Sequence, residues 1–356
     1  MELPQTDIDL RNDFMFGYDL GIDLGSSSIV ISVPGKGVVV DEPSYVAYDT
    51  QTEKILYAGR RAYYLEGREP AGISVIQPIV NGAVANYSIA QQMVRFFIDK
   101  VIGKSLFKPR VVASVSAIST ELEKRTLVSV LITAGARSVC LVEEPLCAAL
   151  GADVDLLYPN GVFVIDIGGG TTDMAIISQG SLNQIEALRI AGNRFDEEIM
   201  RYMRDKYGIL IGKRTAEDVK ISIGCAVERK EDVALQVKGR NYLSGMPGAA
   251  EITGNEVYYC LKPLFTEIAE AAKAFFERTT PQLMADISSN AVILTGGSSS
   301  IYGIDQLFSE TLGLDVTIAP RAELCVSKGT MIALNKMHIL DQYGYRFKTK
   351  QDVRIR

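Results

Sequence analysis

Two aspartates, Asp23 and Asp166, occupy matching positions in two similar segments of this chain. Each aspartate lies near the end of an apolar run, and glycine and small hydroxyl residues follow before a second apolar run begins. The first segment covers residues 21–28 and the second covers residues 164–173. This order predicts a strand, a tight turn and a second strand, once in each half of the chain.

Turns of this composition can bind phosphate, because glycine permits close approach and successive backbone N–H groups make an anion site. A strand-end carboxylate can also hold a hydrated Mg²⁺. Two such turns that face each other would bind the phosphates of a nucleotide from both sides. The predicted phosphate-binding residues are Gly25, Ser26, Ser27, Ser28, Gly168, Gly169, Gly170, Thr171 and Thr172. The alternative to ligand binding is that the aspartates only cap their turns and that the threonines are there because threonine is favoured in strands.

Bulk properties exclude several classes of protein. The chain has 356 residues, which suits two domains, and a net charge of −6, which disfavours nucleic-acid binding. No apolar run is long enough to span a bilayer, and residues 1–13 are too polar for a secretory signal. Five cysteines without a C-x-x-C pair suit a reduced, cytoplasmic protein. The single histidine, His338, excludes a histidine-based triad and nearly all zinc enzymes.

Strand-like and helix-like segments alternate, which indicates an α/β fold. Strands are predicted at residues 111–115, 138–142 and 291–294, and helices at 120–134, 195–207 and 263–278. Pro145 suits the first turn of a further helix at 146–151. Residues 153–161 are predicted to be a linker, and the polar tail, residues 341–356, is expected to fray.

Four segments stand in the order of the actin, hexokinase and heat-shock-chaperone ATPase superfamily: residues 21–28, 143–145, 166–172 and 294–297. More narrowly, the chain resembles the MreB family of bacterial actin-like rod-shape-determining proteins. The segments that carry this narrower resemblance are residues 35–37, 41–44, 107–112, 142–145, 166–172, 207–208, 211–212, 214–217 and 294–297. The matches extend from residue 17 to about residue 334 and cover nearly the whole chain.

The resemblance implies an actin-like (ribonuclease H-like) fold. Two lobes each have a core domain on a five-stranded mixed sheet and a smaller subdomain, with ATP and Mg²⁺ in the cleft between them. The expected limits are an N-terminal extension at 1–16, lobe I at 17–160 and lobe II at 161–324. The small subdomains are expected at about 45–80 and 194–260, lobe I is completed by about 325–340, and 341–356 form a tail.

The resemblance also implies residue roles. Asp23 and Asp166 position Mg²⁺ through water, and Glu144 orients or deprotonates the attacking water with help from Asp166 and Thr171. Glu143 competes with Glu144 for this role, and both could simply be acids favoured at a helix start. The residues expected around the rest of the nucleotide are Gly192, Glu217, Lys220, Gly296, Gly297 and Ser298. Ser298 replaces a usual glycine, and Glu217 with Lys220 could instead be a surface ion pair.

By the same resemblance, Leu106 and Phe107, which lie between two lysines, insert into the membrane; the alternative is that they fold back onto the core. The implied function is an ATP-dependent, slowly hydrolysing filament former that organises cell shape and cell-wall synthesis. Its implied partners are further copies of itself, the inner face of the cytoplasmic membrane and the cell-wall elongation machinery, with no nucleic acid. A plasmid-partitioning actin or a small-molecule kinase of the same superfamily are the alternatives.

Overall fold

The computed structural model describes residues 19–103, 107–155 and 160–353. The expected N-terminal extension, Leu106 and part of the linker at 153–161 lie outside these ranges. The strands are β1 (Leu20–Leu24), β2 (Ser28–Val33), β3 (Gly37–Pro43), β4 (Val46–Asp49), β5 (Ile55–Ala58), β6 (Ile73–Ile76), β7 (Ile79–Val80), β8 (Ala83–Val84), β9 (Arg110–Val115), β10 (Ser138–Glu143), β11 (Val162–Ile167), β12 (Thr172–Ser178), β13 (Ser181–Leu188), β14 (Ile209–Leu210), β15 (Ala234–Asn241), β16 (Pro247–Thr253), β17 (Val292–Thr295), β18 (Val316–Ile318) and β19 (Lys348–Thr349). The helices are α1 (Arg60–Tyr63), α2 (Tyr87–Ile102), α3 (Glu121–Ala134), α4 (Glu144–Gly151), α5 (Gly192–Tyr207), α6 (Lys213–Ile223), α7 (Gly254–Glu277), α8 (Pro281–Ser288), α9 (Ile304–Leu312), α10 (Cys325–Asn335), α11 (Met337–Leu340) and α12 (Lys350–Val353).

Two large mixed sheets have the same internal plan. In the first, with order β19-β10-β9-β1-β2-β3, β1 is antiparallel to β2 and parallel to β9. In the second, with order β13-β12-β11-β17-β18, β11 is antiparallel to β12 and parallel to β17. The predicted strand–turn–strand segments are therefore β1–β2 and β11–β12, each at the centre of its sheet. This confirms the predicted fold, although one sheet has six strands where five were expected.

Each sheet has its own apolar core, as expected for layers of helix on sheet. Phe97 and Leu131, from α2 and α3, are buried against the first sheet. Phe195 and Phe275, from α5 and α7, are buried with Phe163 against the second. Two smaller sheets, β5-β4-β6 and β14-β15-β16, stand beside the large ones. The lobe and subdomain limits expected from the sequence remain predictions.

Helices α4 and α10 cross at very close range between the two sheets. A Cβ added to Gly151 of α4 would lie 1.8 Å from the carbonyl oxygen of Cys325 in α10. A Cβ added to Gly329 of α10 would lie 1.8 Å from the carbonyl oxygen of Cys147 in α4. Each helix therefore needs a glycine where it meets the backbone of the other. This crossing holds α4, whose first residue is Glu144, against α10.

Two predicted segment limits were wrong for physical reasons. Helix α7 begins at Gly254 and not at residue 263, because Thr253 and Glu256 form a capping box and Pro263 is accommodated inside the helix. The polar tail does not simply fray, since β19 pairs with β10 and part-buried Tyr345 and Phe347 pack against the core. Among the residues described, no helix is long and apolar enough to cross a membrane.

Candidate functional site

The two β-hairpin turns are built alike. In the first, the Gly25 amide donates to the carbonyl of Ser28 at 2.9 Å, and in the second the Gly168 amide donates to that of Thr171 at 3.0 Å. In the first turn, Ser26 Oγ accepts a bond from the amide of Gly82 at 3.0 Å. The matching bonds confirm that the two sequence segments are copies of one local structure.

These turns face each other across the cleft between the sheets. A Cβ added to Gly169 would lie 1.9 Å from Ser27 Oγ, and one added to Gly170 would lie 2.5 Å from Ser26 Oγ. Neither glycine has a positive φ. The sequence therefore needs glycine here because the opposite turn is close, and not because the backbone conformation demands it.

A carboxylate stands at the end of the central strand beneath each turn, and the neighbouring parallel strand supplies a hydroxyl to it. Asp23 Oδ1 accepts a bond from Ser114 Oγ at 2.8 Å, while Asp166 Oδ1 accepts one from Thr295 Oγ1 at 2.7 Å. Burial raises the pKa of Asp23 to about 6 and that of Asp166 to about 7. The protein alone thus disfavours two negative charges that a bound cation would stabilise.

Glu144 shares this acidic part of the cleft. It is the first residue of α4 and lines the pocket with Asp23 and Asp166. Burial, and then the charges of Asp173, Asp23 and Asp166, raise its pKa well above the usual range. Its neighbour Glu143 faces elsewhere and accepts bonds from Lys124 and from the hydroxyl of Tyr345. The structure thus separates the two adjacent glutamates that the sequence left in competition.

The described residues contain no group of three acidic, histidine or cysteine side chains placed to hold a metal directly. The expected mode of Mg²⁺ binding needs fewer protein ligands, because the ion keeps most of its waters and contacts one or two carboxylates. The carboxylates of Asp23 and Asp166, each already oriented by a hydroxyl, suit such a hydrated ion.

One end of the cleft lies beside α6. Lys220 is buried and paired with Asp196 at 2.8 Å, and it donates to the carbonyl of Gly192 at 3.0 Å. Glu217 accepts a bond of 2.7 Å from the hydroxyl of Tyr63, which lies in the opposite lobe. The alternative of a surface ion pair between Glu217 and Lys220 is therefore wrong.

Nearly all predicted site residues meet in one cleft of about 490 Å³. Its lining includes Asp23, Gly25, Ser26, Ser27, Ser28, Glu144, Asp166, Gly168, Gly169, Gly170, Thr171, Gly192, Glu217, Lys220, Gly296, Gly297 and Ser298. Thr172 is the exception, because its hydroxyl donates to the carbonyl of Ile190 at 2.7 Å and the residue is absent from the lining. Phe107 is 57% exposed, and Leu106 lies outside the described residues.

Sequence reasoning gave no role to several residues in or next to the site, among them Arg229, Tyr302 and Asp173. Arg229 and Tyr302 line the pocket, and the guanidinium carbon of Arg229 lies 4.0 Å from the centre of the Tyr302 ring. Nothing in their local sequence indicated this contact, because they are 73 residues apart. Asp173 is buried next to Glu144. The only sequence feature that could have indicated a role at the site is its position just after the glycine turn.

Two central hairpins on matching sheets, facing each other over an acidic cleft, define an actin-like protein with a site of nucleotide-binding form. A family model described as MreB/Mbl protein matches residues 17–342, and the chain belongs to this family.

Individual relatives agree with this assignment. The cell shape-determining protein Mbl of Bacillus cereus is 40% identical over 333 residues, which cover 93% of this chain and all of that protein. The structure of MreB5 of Spiroplasma citri bound to ADP matches with a TM-score of 0.86 at 35% identity, covering 92% of this chain and 98% of that one. The AMPPNP-bound structure of the same protein gives the same TM-score at 34% identity, and the match covers 96% of this chain and 100% of that one. The MamK double helical filament shares only the fold, with a TM-score of 0.77 at 19% identity. The match covers 89% of this chain and 98% of the MamK chain.

Proposed function

We propose that this chain binds ATP with Mg²⁺ in the cleft, hydrolyses it slowly and assembles into filaments. These filaments would organise cell shape and cell-wall synthesis at the inner face of the cytoplasmic membrane. The observation that carries the proposal is the pair of facing turns, each with an aspartate beneath it that accepts a hydroxyl hydrogen bond. The relatives add support, because MreB5 was solved with ADP and with AMPPNP, and Mbl is named for cell shape.

Each part of the site has a role in this proposal. Backbone N–H groups and serine hydroxyls of the two turns bind the phosphate oxygens. Asp23 and Asp166 hold the water shell of Mg²⁺, which when bound neutralises charge on the phosphates. Glu144 orients the attacking water, because phosphoryl transfer needs positioning more than covalent chemistry. Lys220 and Glu217 lie at the nucleoside end.

The cleft is held together above the nucleotide site as well. Arg214 of α6 lies over the ring of Tyr64, 4.7 Å from its centre, and Lys213 contacts Gln77. With the bond between Tyr63 and Glu217, these contacts join α6 to the segments next to the small sheet β5-β4-β6 of the other lobe, at the end of α1 and just after β6. Occupation of the cleft can therefore change how the lobes sit together, and lobe closure is what would couple nucleotide to assembly.

Assembly, membrane binding and partners are the finer parts of the proposal. The exposed Phe107, with Leu106 and the adjacent lysines, is proposed to contact the anionic membrane surface. Further copies of the chain and the cell-wall elongation machinery are its proposed protein partners.

The test is electron microscopy of the purified protein on anionic liposomes, with ATP–Mg²⁺, with ADP–Mg²⁺ and without nucleotide. Ordered filaments on the bilayer with ATP–Mg²⁺, and loss of ATP turnover in Glu144→Ala, are the expected results. A wild-type chain that stays monomeric across concentrations, nucleotides and lipids would contradict the proposal. Phe107→Ser separates its two parts, since it should form filaments in solution and lose them only from the liposomes.

A further inference from the structure

Gln77 joins a phosphate-binding turn of one lobe to a helix of the other. It follows β6 in lobe I, and its Nε2 donates to the backbone carbonyl of Ser26 at 2.9 Å. Its Oε1 accepts a bond from the ammonium group of Lys213, the first residue of α6 in lobe II. Neither Gln77 nor Lys213 is among the residues that line the cleft. The two side chains can therefore act on a bound nucleotide only through the residues that they hold or through charge.

The two partners of Gln77 fix the orientation of its amide. An ammonium group can only donate hydrogen bonds, and a backbone carbonyl can only accept them. The oxygen of the Gln77 amide therefore faces Lys213, and its NH₂ group faces Ser26. A bond at each end holds the side chain in one position, whereas either bond alone would leave the other end unrestrained.

The bond to Ser26 sets the direction of the next backbone N–H. The carbonyl of Ser26 and the N–H of Ser27 belong to one trans peptide group, so they point to opposite sides of it. Because Gln77 holds the carbonyl on one side, the N–H of Ser27 is held on the other. The Ser27 nitrogen lies next to the second turn, since a Cβ added to Gly169 would be 3.4 Å from it.

The N–H of Ser27 is available to a ligand. It donates to no acceptor among the described residues. A backbone donor left without a partner between two glycine-containing turns suits an anionic oxygen. The amide of Gly82 also donates to Ser26 Oγ at 3.0 Å, so Ser26 is held from a second direction and its peptide group is kept in this orientation.

We propose that Gln77 is a positioning residue that directs the Ser27 N–H at the phosphates of a bound nucleotide, and that Lys213 supports it from the opposite lobe. Closure of the lobes, which brings Lys213 to Gln77, then also completes the phosphate site. This inference rests on the proposed binding of ATP in the cleft. It predicts that Gln77 affects the binding of ligands that carry phosphates and leaves the binding of the nucleoside unchanged.

The experiment measures the dissociation constants of ATP, ADP and adenosine by competition with a fluorescent ATP analogue, with the unfolding temperature of each variant. Gln77→Met keeps the length of the side chain and removes both hydrogen bonds. It should weaken ATP and ADP by about tenfold or more and adenosine by less than about twofold. Gln92→Met is the matched control and should change no affinity. Gln92 also donates to a backbone carbonyl, that of Glu53 at 2.9 Å, and does not line the cleft.

Gln77→Glu separates the two bonds of Gln77. Its carboxylate can still pair with Lys213, but it cannot donate to the carbonyl of Ser26. If the direction of the Ser27 N–H is what matters, this variant should bind ATP no better than Gln77→Met does.

The role of Lys213 is tested by a double-mutant cycle. Lys213→Met should weaken ATP binding by about threefold in the wild-type background and by less than about 1.5-fold in the Gln77→Met background, because Lys213 acts through Gln77. An effect of equal size in both backgrounds would mean that the ammonium group attracts the phosphates directly, and would overturn its supporting role.

Three results would overturn the inference alone while wild type still binds ATP. They are an unchanged ATP affinity in Gln77→Met, a Gln77→Glu variant that binds ATP as wild type does, and a loss of adenosine affinity as large as that of ATP. The last result, with a lower unfolding temperature, is what a purely structural role of Gln77 would give. A wild-type chain that binds no ATP would overturn the proposed function, and the inference with it.

Discussion

Gly169 and Ser27 lie on opposite lobes, and they are so close that no methyl group fits between them. A Cβ on Gly169 would lie 1.9 Å from Ser27 Oγ, far inside any real contact. The close approach of the two turns therefore depends on the absence of a side chain at this position. The glycine is required by the other half of the molecule and not by its own backbone, whose φ is not positive.

Gly169→Ala should hold the turns apart and weaken ATP binding by at least about tenfold, because overpacking at a rigid contact costs on the order of 1–3 kcal/mol. Titration with a fluorescent ATP analogue measures this. Gly212→Ala is the matched control, since a Cβ there meets nothing within 4 Å and should leave affinity unchanged. Because Ser27→Gly also removes a proposed phosphate-binding hydroxyl, the effect of Gly169→Ala is measured in the Ser27→Gly background as well, where the clash is absent and the loss of affinity should be much smaller. A loss as large as in the wild-type background would show that the contact is not the cause.

The protein without nucleotide and metal should lose stability as the pH rises. The pKa of Asp23 is about 6 and that of Asp166 about 7 in the folded chain, against about 3.9 in an unfolded chain. Between pH 4 and pH 7 the folded state therefore binds more protons than the unfolded state, and the free energy of unfolding falls as the pH rises.

Asp166→Asn removes one of these groups. Between pH 4 and pH 8, the free energy of unfolding of this variant should therefore fall by on the order of 3 kcal/mol less than that of wild type. Urea unfolding at several pH values in EDTA is the measurement. Asp315→Asn, an exposed change, should leave the curve as it is in wild type. A free energy of unfolding that rises with pH over this window in wild type, and equally in Asp166→Asn, would show that these carboxyls are not held protonated.

Tyr63→Phe should weaken ATP binding by about three- to tenfold, because it removes a hydrogen bond to the Glu217 carboxylate that joins the lobes above the site. Tyr64→Phe is the control, since it makes the same chemical change in the next residue and keeps the ring beneath Arg214. Isothermal titration with ADP and ATP compares them. Equal affinities in the two variants would mean that the Tyr63 hydroxyl does not contribute to closure.

Removal of residues 345–356 should lower the unfolding temperature by roughly 5 °C and promote aggregation, because it deletes two packed aromatic side chains and exposes an edge of β10. Tyr345→Phe keeps the strand and the packing and loses only the bond to Glu143, so it should unfold close to wild type. Differential scanning fluorimetry with light scattering measures both effects. A truncated chain as stable and soluble as the full one would contradict this account of the tail.

Local signals made the hairpins, the central strands and most of the cleft predictable. Asp23 and Asp166 were found because their surroundings repeat, and the spacing of apolar residues predicted α3 to within one residue of its observed start. The family resemblance added Glu217 and Lys220, which no local pattern distinguishes from a surface pair.

What could not be predicted depends on contacts between distant parts of the chain. The sequence predicted Thr172 as a phosphate-binding residue, but its place on β12 directs its hydroxyl to the carbonyl of Ile190. The start of α7 nine residues before Pro263 depends on a capping box outweighing a proline signal. Asp173 could not be distinguished from an ordinary strand acid until folding brought Ser116, Ala117 and Glu144 to it.

The most direct test of the central claim is an experimental structure of the chain with AMPPNP and Mg²⁺. The account predicts phosphates between the turns at Gly25–Ser28 and Gly168–Thr171, with the metal's water shell contacting both Asp23 and Asp166. A nucleotide bound outside this cleft, or a metal remote from both aspartates, would contradict it.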